Sequence, residues 1–218
     1  HPRPQPAHQP QLGAGGQAAR HPAGGGGGET GIGRRLHQPL PDQAPGAEAL
    51  QRQHRSVHVS APVNALVEGL YEEDTTLGDL RDRGDFGIGT FNDLDGEMVL
   101  VDGDVFQLRA DGTVQRVGDG VKTPFACVCR FEPDVDETFD RPHDCEAFCA
   151  LLEQCLPSRN MLYACRVDGH FLSVRTRSVP RQENYRPLVE VTRDQVESTV
   201  EDVDGTLVGF FNPPFISS

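Results

Sequence analysis

Short apolar runs separated by Asp-Gly pairs dominate the sequence between residues 86 and 117. The pairs stand at positions 95–96, 102–103 and 111–112, and apolar and polar residues alternate between them. An Asp-Gly pair between such runs is a strong hairpin signal, because both central residues of a type I′ turn need a positive φ. The pattern therefore predicts an antiparallel meander over this stretch.

Other apolar runs predict further strands. Asp168-Gly169 lies between two of them and is predicted as the turn of another hairpin. The predicted strands, including the two that flank the first turn of the meander, are residues 89–94, 97–101, 123–131, 162–167, 170–177 and 206–211.

Apolar positions at helical spacing predict the longest helix over residues 144–156, which Pro157 ends. Three shorter helices are predicted from capping signals. Ser60 begins one that reaches Leu70, Thr75 or Thr76 begins one over 77–83 that Gly84 ends, and Thr192 with Gln195 begins one that reaches Val200. Together the elements predict an α+β fold of mixed, mainly antiparallel β-sheets with a few short helices.

Composition divides the chain near residue 57. Residues 1–57 contain 11 Gly and 8 Pro, few apolar residues and no periodicity, so they cannot bury enough surface to offset their conformational entropy. The sequence therefore predicts a low-complexity segment at 1–56 and a folded domain at 57–218. The low-complexity segment is interpreted either as a disordered tail or as upstream or out-of-frame DNA translated by mistake.

Charge is distributed as unevenly as composition. The formal net charge of −13 divides into +3 over residues 1–57 and −16 over the remainder, and Lys122 is the only lysine. No nucleic-acid partner is expected, because phosphates are neutralised by clustered Lys and Arg. An acidic chain with almost no lysine fits either a halophilic, high-salt cytoplasm or a GC-rich genome that prefers Arg codons, and both interpretations stay open.

Membrane and export signals are missing from the sequence pattern. No apolar run approaches the roughly 20 residues that span a bilayer, and the first residues lack the basic and apolar regions of a signal peptide. We therefore expect a cytoplasmic protein without membrane association, whose six cysteines are reduced thiols.

The glycines at positions 84, 87 and 89 invite comparison with a phosphate-binding loop. No strand is predicted before them and no Lys follows them, which such a loop requires. We expect instead that these glycines allow tight turns and close packing.

Cysteine and histidine give little support for a metal site. Cys127-x-Cys129 and Cys145-x-x-x-Cys149 have the spacing of one face of a strand and one face of a helix, which core packing also produces. Only His143 and His170 lie within residues 59–218. We expect neither a structural zinc nor a histidine-based metal site in this part of the chain.

The stretch from 87 to 103, GIGTFNDLDGEMVLVDG, resembles the signature of the α-acetolactate decarboxylase family. Further blocks resemble the family in its order and at its spacings, so that the resemblance covers residues from about 57 to 214. These blocks lie at 123–126, 160–164, 169–171, 177–182, 185–188, 195 and 205–210. The resemblance implies the fold of the acetolactate decarboxylases.

The resemblance also implies an activity, the conversion of 2-acetolactate to acetoin and carbon dioxide by a homodimer. It implies a zinc ion held by a His-x-His pair and a third His, which in the family follow the strand that matches residues 205–210. The sequence stops eight residues beyond that strand. We therefore interpret the chain as truncated before its zinc ligands and expect it to be inactive as given.

Three residues match family positions at the active site. Glu97 matches a glutamate near the metal, Arg177 matches the arginine that meets the substrate, and Thr90 matches a threonine of the pocket. A carboxyl group can serve as acid or base when the enediolate left by decarboxylation is protonated, and a guanidinium can bind a carboxylate through two hydrogen bonds. Without the resemblance, Glu97 would be interpreted as an exposed turn residue and Arg177 as a surface charge.

Two functions from different classes stay open. The chain is either an acetolactate decarboxylase of which this is a partial or misassembled product, or a non-catalytic remnant that keeps the scaffold as a binding domain. Histidine codons in the family's pattern downstream of codon 218 would support the first, and a genuine stop without them would support the second.

Overall fold

The structure is a computed structural model that describes residues 17–19, 56–184 and 186–212, and these form two antiparallel β-sheets with a few short helices. The α+β fold predicted from the sequence is therefore confirmed. The strands of this described part are β1 (Gln17–Ala19), β2 (Val57–Val59), β3 (Phe86–Thr90), β4 (Glu97–Val101), β5 (Asp104–Leu108), β6 (Val114–Arg116), β7 (Ala126–Cys129), β8 (Tyr163–Ser178) and β9 (Val196–Phe211).

Short helices connect the strands. In the described ranges they are α1 (Val63–Val67), α2 (Leu77–Arg83), α3 (Cys145–Cys155) and α4 (Leu188–Val191), with 3-10 turns at Asn92–Leu94 and Thr192–Asp194. Thr76 begins α2 through a capping box with Asp79 and Gly84 ends the helix, as predicted. None of these helices is long and apolar enough to cross a membrane.

The larger sheet has the strand order β2-β7-β3-β4-β5-β6, which confirms the predicted meander of β3 to β6. Asp102 and Gly103 form the turn between β4 and β5, with φ of 52° and 79°. Val101 pairs with Asp104 across this turn. Both central residues are left-handed, as the predicted type I′ turn requires.

The smaller sheet has the order β1-β9-β8, and its two long strands form an antiparallel ribbon of 16 residues each. Val208 and Phe210, near the end of β9, pack against one face of the larger sheet, on which Val99 lies. Leu77 and Leu80 of α2 pack against the opposite face. Because successive residues of a strand point to opposite faces, the larger sheet contributes to both apolar layers.

The glycines at 84, 87 and 89 lie against the backbone of β7. At each of the three, an added Cβ would lie 2.4 Å from a carbonyl oxygen in β7 or directly before it. Such a distance is far shorter than carbon and oxygen tolerate, so only glycine allows β3 to approach β7 this closely. The prediction that packing explains these glycines is confirmed.

The hairpin predicted at Asp168-Gly169 is wrong, because β8 continues unbroken through both residues. Asp168 pairs with Thr206 and Gly169 with Gly205 along β9. The Thr206 hydroxyl donates a 2.5 Å hydrogen bond to the Asp168 carboxylate, which satisfies both side chains across the ribbon. Cross-strand hydrogen bonds along a long partner therefore prevail over the local turn signal.

The helix predicted from Thr192 to Val200 is also wrong. The 3-10 turn covers Thr192–Asp194, and β9 begins two residues later at Val196. Residues 196–200 pair with residues 174–178 of β8. Val196, Thr199 and Val200 are β-branched, so their side chains favour a strand once a partner is present.

Two shorter predictions differ as well. Ser60 does not cap α1, which begins after Pro62; its hydroxyl oxygen accepts a 2.8 Å hydrogen bond from the Ala126 N–H instead. The strand predicted over 89–94 ends at Thr90, and the 3-10 turn Asn92–Leu94 follows it. The positive φ of residues in that turn takes the chain out of the extended conformation.

β1 belongs to the segment for which the sequence predicts disorder. Its residues 17–19 pair with residues 206–208 of β9. The exposed backbone groups of β9 need hydrogen-bond partners, and pairing with them requires no particular side chain. The rest of residues 1–55 lies outside the described part of the chain.

Candidate functional site

Two of the three predicted site residues lie opposite each other in the larger sheet. β3 ends at Thr90, β4 begins at Glu97, and the two residues are direct partners in the sheet register. Directly opposite residues share a face of a sheet, so both belong to the face that carries Ile88 and Val99. The end of β9 packs against this same face.

Thr90 is buried and held through three of its polar groups. Its hydroxyl donates a 2.8 Å hydrogen bond to the carbonyl oxygen of Gly96. Its carbonyl oxygen accepts a 2.6 Å hydrogen bond from the Thr123 hydroxyl, and its N–H donates to the Phe125 carbonyl oxygen at 3.1 Å. Thr90 therefore fixes the peptide that immediately precedes Glu97.

Glu97 has the properties of an acid or base. Its side chain keeps partial access to solvent, yet burial raises the pKa of its carboxyl group to about 7. The cause is desolvation, because the surrounding protein disfavours the charged form of the carboxyl group. A group with such a pKa can both hold and release a proton near neutral pH.

Residues 92–96 form the turn that leads into Glu97, and this 92–96 turn has an uncommon backbone. Asp93 and Leu94 have φ of 62° and 53°, and Gly96 has φ of 94°. A left-handed conformation costs a non-glycine residue roughly 1–2 kcal/mol, so the surroundings must hold it. Leu94 is buried against Tyr71, which offsets part of this cost.

Asp95 of the 92–96 turn is held by side chains from β5 and from the residue that follows β5. Arg109 donates from Nε and Nη2 to the two carboxylate oxygens of Asp95, at 3.1 Å and 2.8 Å. Gln107 is buried, and its Nε2 donates to the Asp95 carbonyl oxygen at 2.5 Å. Neither partner is predicted from the sequence, since single polar residues on a strand form no motif. The available signal was Gln107 at an alternating position, two residues after Val105, where an apolar residue is expected.

Arg177 lies apart from the other two predicted site residues. It stands near the C-terminal end of β8, opposite Glu197 of β9, and its Nε lies 3.1 Å from a Glu197 carboxylate oxygen in an ion pair. Its side chain is 56% exposed. In the described residues no hydrogen bond or ion pair joins Arg177 to Thr90 or Glu97, so the structure brings together two of the three.

Other charged side chains lie along the ribbon of β8 and β9. Arg166 donates from Nη1 to Asp102 at 2.7 Å and from Nε to Asp168 at 2.8 Å, which ties the ribbon to the turn between β4 and β5. His170 lies between Asp204 and Asp202, at 3.0 Å and 3.1 Å, and the hydrogen bond to Asp204 raises the pKa of His170. This histidine is exposed, and both of these aspartates belong to β9.

A zinc site is not formed by the side chains that the structure describes. Within the described ranges, no group of three or more His, Cys, Asp or Glu residues could hold a metal ion. Cys127 and Cys129 are buried on β7, and burial raises the pKa of Cys127 to about 12 and that of Cys129 to about 11.

The fold and the site define an antiparallel α+β protein with a titratable carboxyl group on the packed face of a sheet. The chain belongs to the alpha-acetolactate decarboxylase family, because the model of that family matches residues 57–218. The resemblance seen in the sequence is thereby confirmed.

Relatives with established names agree with this placement. The chain is 45% identical over 167 residues to the alpha-acetolactate decarboxylase of Methylococcus capsulatus, covering 76% of this chain and 64% of the relative. It is 40% identical over 160 residues to that of Bacillus subtilis, covering 73% and 63%. The chain thus spans less than two thirds of the length of these relatives.

A solved structure is also similar. The crystal structure of alpha-acetolactate decarboxylase from Bacillus subtilis strain 168 matches with a TM-score of 0.70 and 39% identity. The match covers 73% of this chain and 68% of the other. The arrangement of two antiparallel sheets is therefore that of a family member.

Proposed function

We propose that the protein acts in the decarboxylation of 2-acetolactate to acetoin, with Glu97 transferring the proton and Arg177 binding the substrate carboxylate. The observation that carries the proposal is the Glu97 carboxyl group, whose pKa is raised to about 7 on the packed face of the sheet. Relatives over 40% identical that are named alpha-acetolactate decarboxylase support the choice of substrate.

The reaction needs one proton at a defined place. In 2-acetolactate the bond from C2 to the carboxylate carbon breaks, carbon dioxide leaves, and the electron pair passes into an enediolate over C2, C3 and the C3 oxygen. A proton added to C2 then gives acetoin. Glu97 is half protonated near neutral pH, so it can donate this proton and regain it from water.

Arg177 offers the charge that a carboxylate substrate needs. Its guanidinium is exposed and held by Glu197, at 3.1 Å, so a substrate carboxylate would take the place of a carboxylate already present. A guanidinium can bind a carboxylate through two parallel hydrogen bonds. The substrate is therefore expected to compete with Glu197 for Arg177.

Thr90 contributes by position. Its hydroxyl hydrogen is used by the Gly96 carbonyl oxygen, so its part is to hold the start of β4, with Glu97, in place. The described residues supply no set of zinc ligands, and the roles given to this chain are accordingly limited to proton transfer and to binding and orienting the substrate.

Binding of an unreactive analogue tests the proposal. In 2,3-dihydroxy-2-methylbutanoate an alcohol replaces the ketone, so the molecule keeps the carboxylate but cannot lose carbon dioxide. We expect binding by calorimetry that Arg177→Gln weakens at least about tenfold, since a hydrogen bond between charged groups contributes about 1.5–3 kcal/mol. Glu197→Gln removes the competing carboxylate and should strengthen binding.

Arg175→Gln is the matched control, because Arg175 is an exposed arginine two residues earlier on the same strand. It should bind the analogue as the unmodified chain does. Equal losses in Arg175→Gln and Arg177→Gln would contradict the role of Arg177. No binding at all would favour the non-catalytic scaffold.

The expectation that the 218-residue chain is inactive as given stays a prediction. The test is release of carbon dioxide from 2-acetolactate with Zn²⁺ supplied, for which we expect no zinc-dependent turnover. Turnover that a chelator abolishes would contradict it. The cytoplasmic location and the homodimer also stay predictions, the second of which light scattering after size-exclusion chromatography would test.

A further inference from the structure

The 92–96 turn is fixed by a segment from a distant part of the chain. Arg181, which follows β8, donates from Nη2 and Nε to the same carboxylate oxygen of Asp93, at 2.5 Å and 3.1 Å. The N–H of the next residue, Gln182, donates to the Asp93 carbonyl oxygen at 2.7 Å. Side chain and backbone of Asp93 are thus both held by two successive residues.

Apolar packing supports the same junction, by which we mean the contacts between the 92–96 turn and residues 179–182. Leu94 is buried in a cluster with Val179, Val191 and Tyr71. Val179 lies two residues before Arg181, so the polar and the apolar contacts join the same two segments. The junction therefore fixes both Asp93 and Leu94, the two non-glycine residues of the turn with positive φ.

The two segments lead directly to the residues of the proposed site. Asp93 lies four residues before Glu97, and Arg181 lies four residues after Arg177. No described hydrogen bond joins Glu97 to Arg177. The junction links their positions, because each residue lies only four residues from it along the chain. A backbone held away from its preferred conformation returns to it when its contacts are removed.

We propose that Arg181 is a positioning residue, which holds the turn before Glu97 against the end of the strand that carries Arg177. The inference rests on the proposed function in taking Glu97 and Arg177 as the site, whereas the contacts of Arg181 are independent of it. Arg181 touches neither substrate nor reacting atoms in this role. It acts through Asp93 on the geometry of Glu97.

An ordinary surface ion pair is the competing explanation. The Arg181 side chain is 61% exposed, and exposed pairs contribute little to stability. Asp93 is less exposed, at 25%, and sits at a backbone conformation that needs support. A surface pair would leave the surroundings of Glu97 unchanged when it is removed, and this difference makes the explanations separable.

The protonation of Glu97 provides the readout. It is measured by NMR on the 218-residue chain with the Glu side-chain carboxyl carbons labelled, and Glu97→Gln assigns the signal. Charged groups near Glu97 along the chain are Asp95 with Arg109 and Asp93 with Arg181. Loss of the Arg181 cation by itself would raise the pKa of Glu97, because a nearby cation favours the ionised carboxyl group.

Loosening of the turn would instead lower the pKa of Glu97. If Arg181→Gln releases the 92–96 turn, water reaches Glu97. The pKa of Glu97 should then fall toward the ordinary value of a glutamate, with at least an about tenfold increase in its acid dissociation constant. Arg181→Lys keeps the charge and should restore most of the original pKa. Arg175→Gln removes an exposed arginine from the same ribbon and should leave the pKa of Glu97 as it was.

Asp93→Asn tests the junction from its other partner. Asn tolerates the left-handed conformation of residue 93, so this variant loses the ion pair without adding backbone strain. Circular dichroism confirms that each variant is folded. A lowered pKa of Glu97 in both Arg181→Gln and Asp93→Asn supports the proposal, and an unchanged or raised pKa in folded variants overturns it.

Failure of the proposed function would look different. In that case the analogue does not bind or its binding ignores Arg177, whereas the pKa of Glu97 still responds to Arg181. If the pKa of Glu97 is unchanged in Arg181→Gln while binding of the analogue depends on Arg177, only the positioning role is overturned.

Discussion

Thr90 and Glu97 face each other across β3 and β4, and the Thr90 hydroxyl holds the Gly96 carbonyl oxygen at 2.8 Å, one peptide before Glu97. A single buried threonine thus supports the first residue of the strand that carries the candidate acid. This relationship leads to a direct test of how firmly that strand end is held.

Thr90→Val keeps the shape of the side chain and removes the hydroxyl. The Gly96 carbonyl oxygen then loses its partner in a buried place, and we expect a loss of about 1–3 kcal/mol in the free energy of unfolding, measured with urea. Thr90→Ser keeps the hydroxyl and should retain that hydrogen bond. Equal stabilities of the Val and Ser variants would show that the hydrogen bond contributes nothing.

The raised pKa of Glu97 predicts a pH-dependent stability. Its folded-state pKa of about 7 exceeds the ordinary value of 4.5, so the stability that it contributes is present below pH 4.5 and is lost as pH rises to about 7. Relative to Glu97→Gln, the unmodified chain should lose up to about 3 kcal/mol across this window, at roughly 1.4 kcal/mol for each pKa unit. Parallel curves of unfolding free energy against pH would rule out the raised pKa.

Gly169 and Gly103 offer a comparison between a strand and a turn. Neither has an atom within 4 Å of an added Cβ, but Gly103 has φ of 79° and Gly169 lies extended in β8. Gly169→Ala should be neutral or stabilise by about 0.5 kcal/mol, whereas Gly103→Ala should cost about 1 kcal/mol or more. Thermal unfolding compares the two variants. A larger loss of stability in Gly169→Ala would favour the hairpin turn that the sequence predicts at this position.

Close approach of β3 and β7 predicts a strong effect at Gly87. An added Cβ would lie 2.4 Å from the Cys127 carbonyl oxygen, so Gly87→Ala should destabilise the chain by at least ~2 kcal/mol. Gly118 has no atom within 4 Å of an added Cβ, and Gly118→Ala should be tolerated. Similar unfolding midpoints for the two variants would contradict the described spacing of the strands.

Local signals in the sequence predict the elements that depend on local interactions. The type I′ turn at Asp102-Gly103 needs only two residues that accept a positive φ, and the α2 helix needs only the capping box begun by Thr76. Both elements can be predicted from the sequence, because the interactions that form them lie within four or five neighbouring residues. The helix that begins after Asp144 is predictable for the same reason.

Distant pairing explains what the sequence does not reveal. Gly169 is extended because Gly205 lies beside it, 36 residues later, and Val196 begins a strand because β8 is available as a partner. The same limit applies to the site. The resemblance points to Thr90, Glu97 and Arg177, but no local pattern predicts that Arg181 and Gln107 hold the residues around Glu97.

The ribbon of β8 and β9 is fixed mainly near its two ends. Phe210 lies in the core between the sheets at one end, and Val179 follows the other end into the cluster with Leu94. Residues 168–170 between them are exposed, and they pair with residues 204–206 of β9. Hydrogen exchange should therefore begin at mid-ribbon and spread outward. Arg177, close to the Val179 end, would keep its place while the centre opens and recloses.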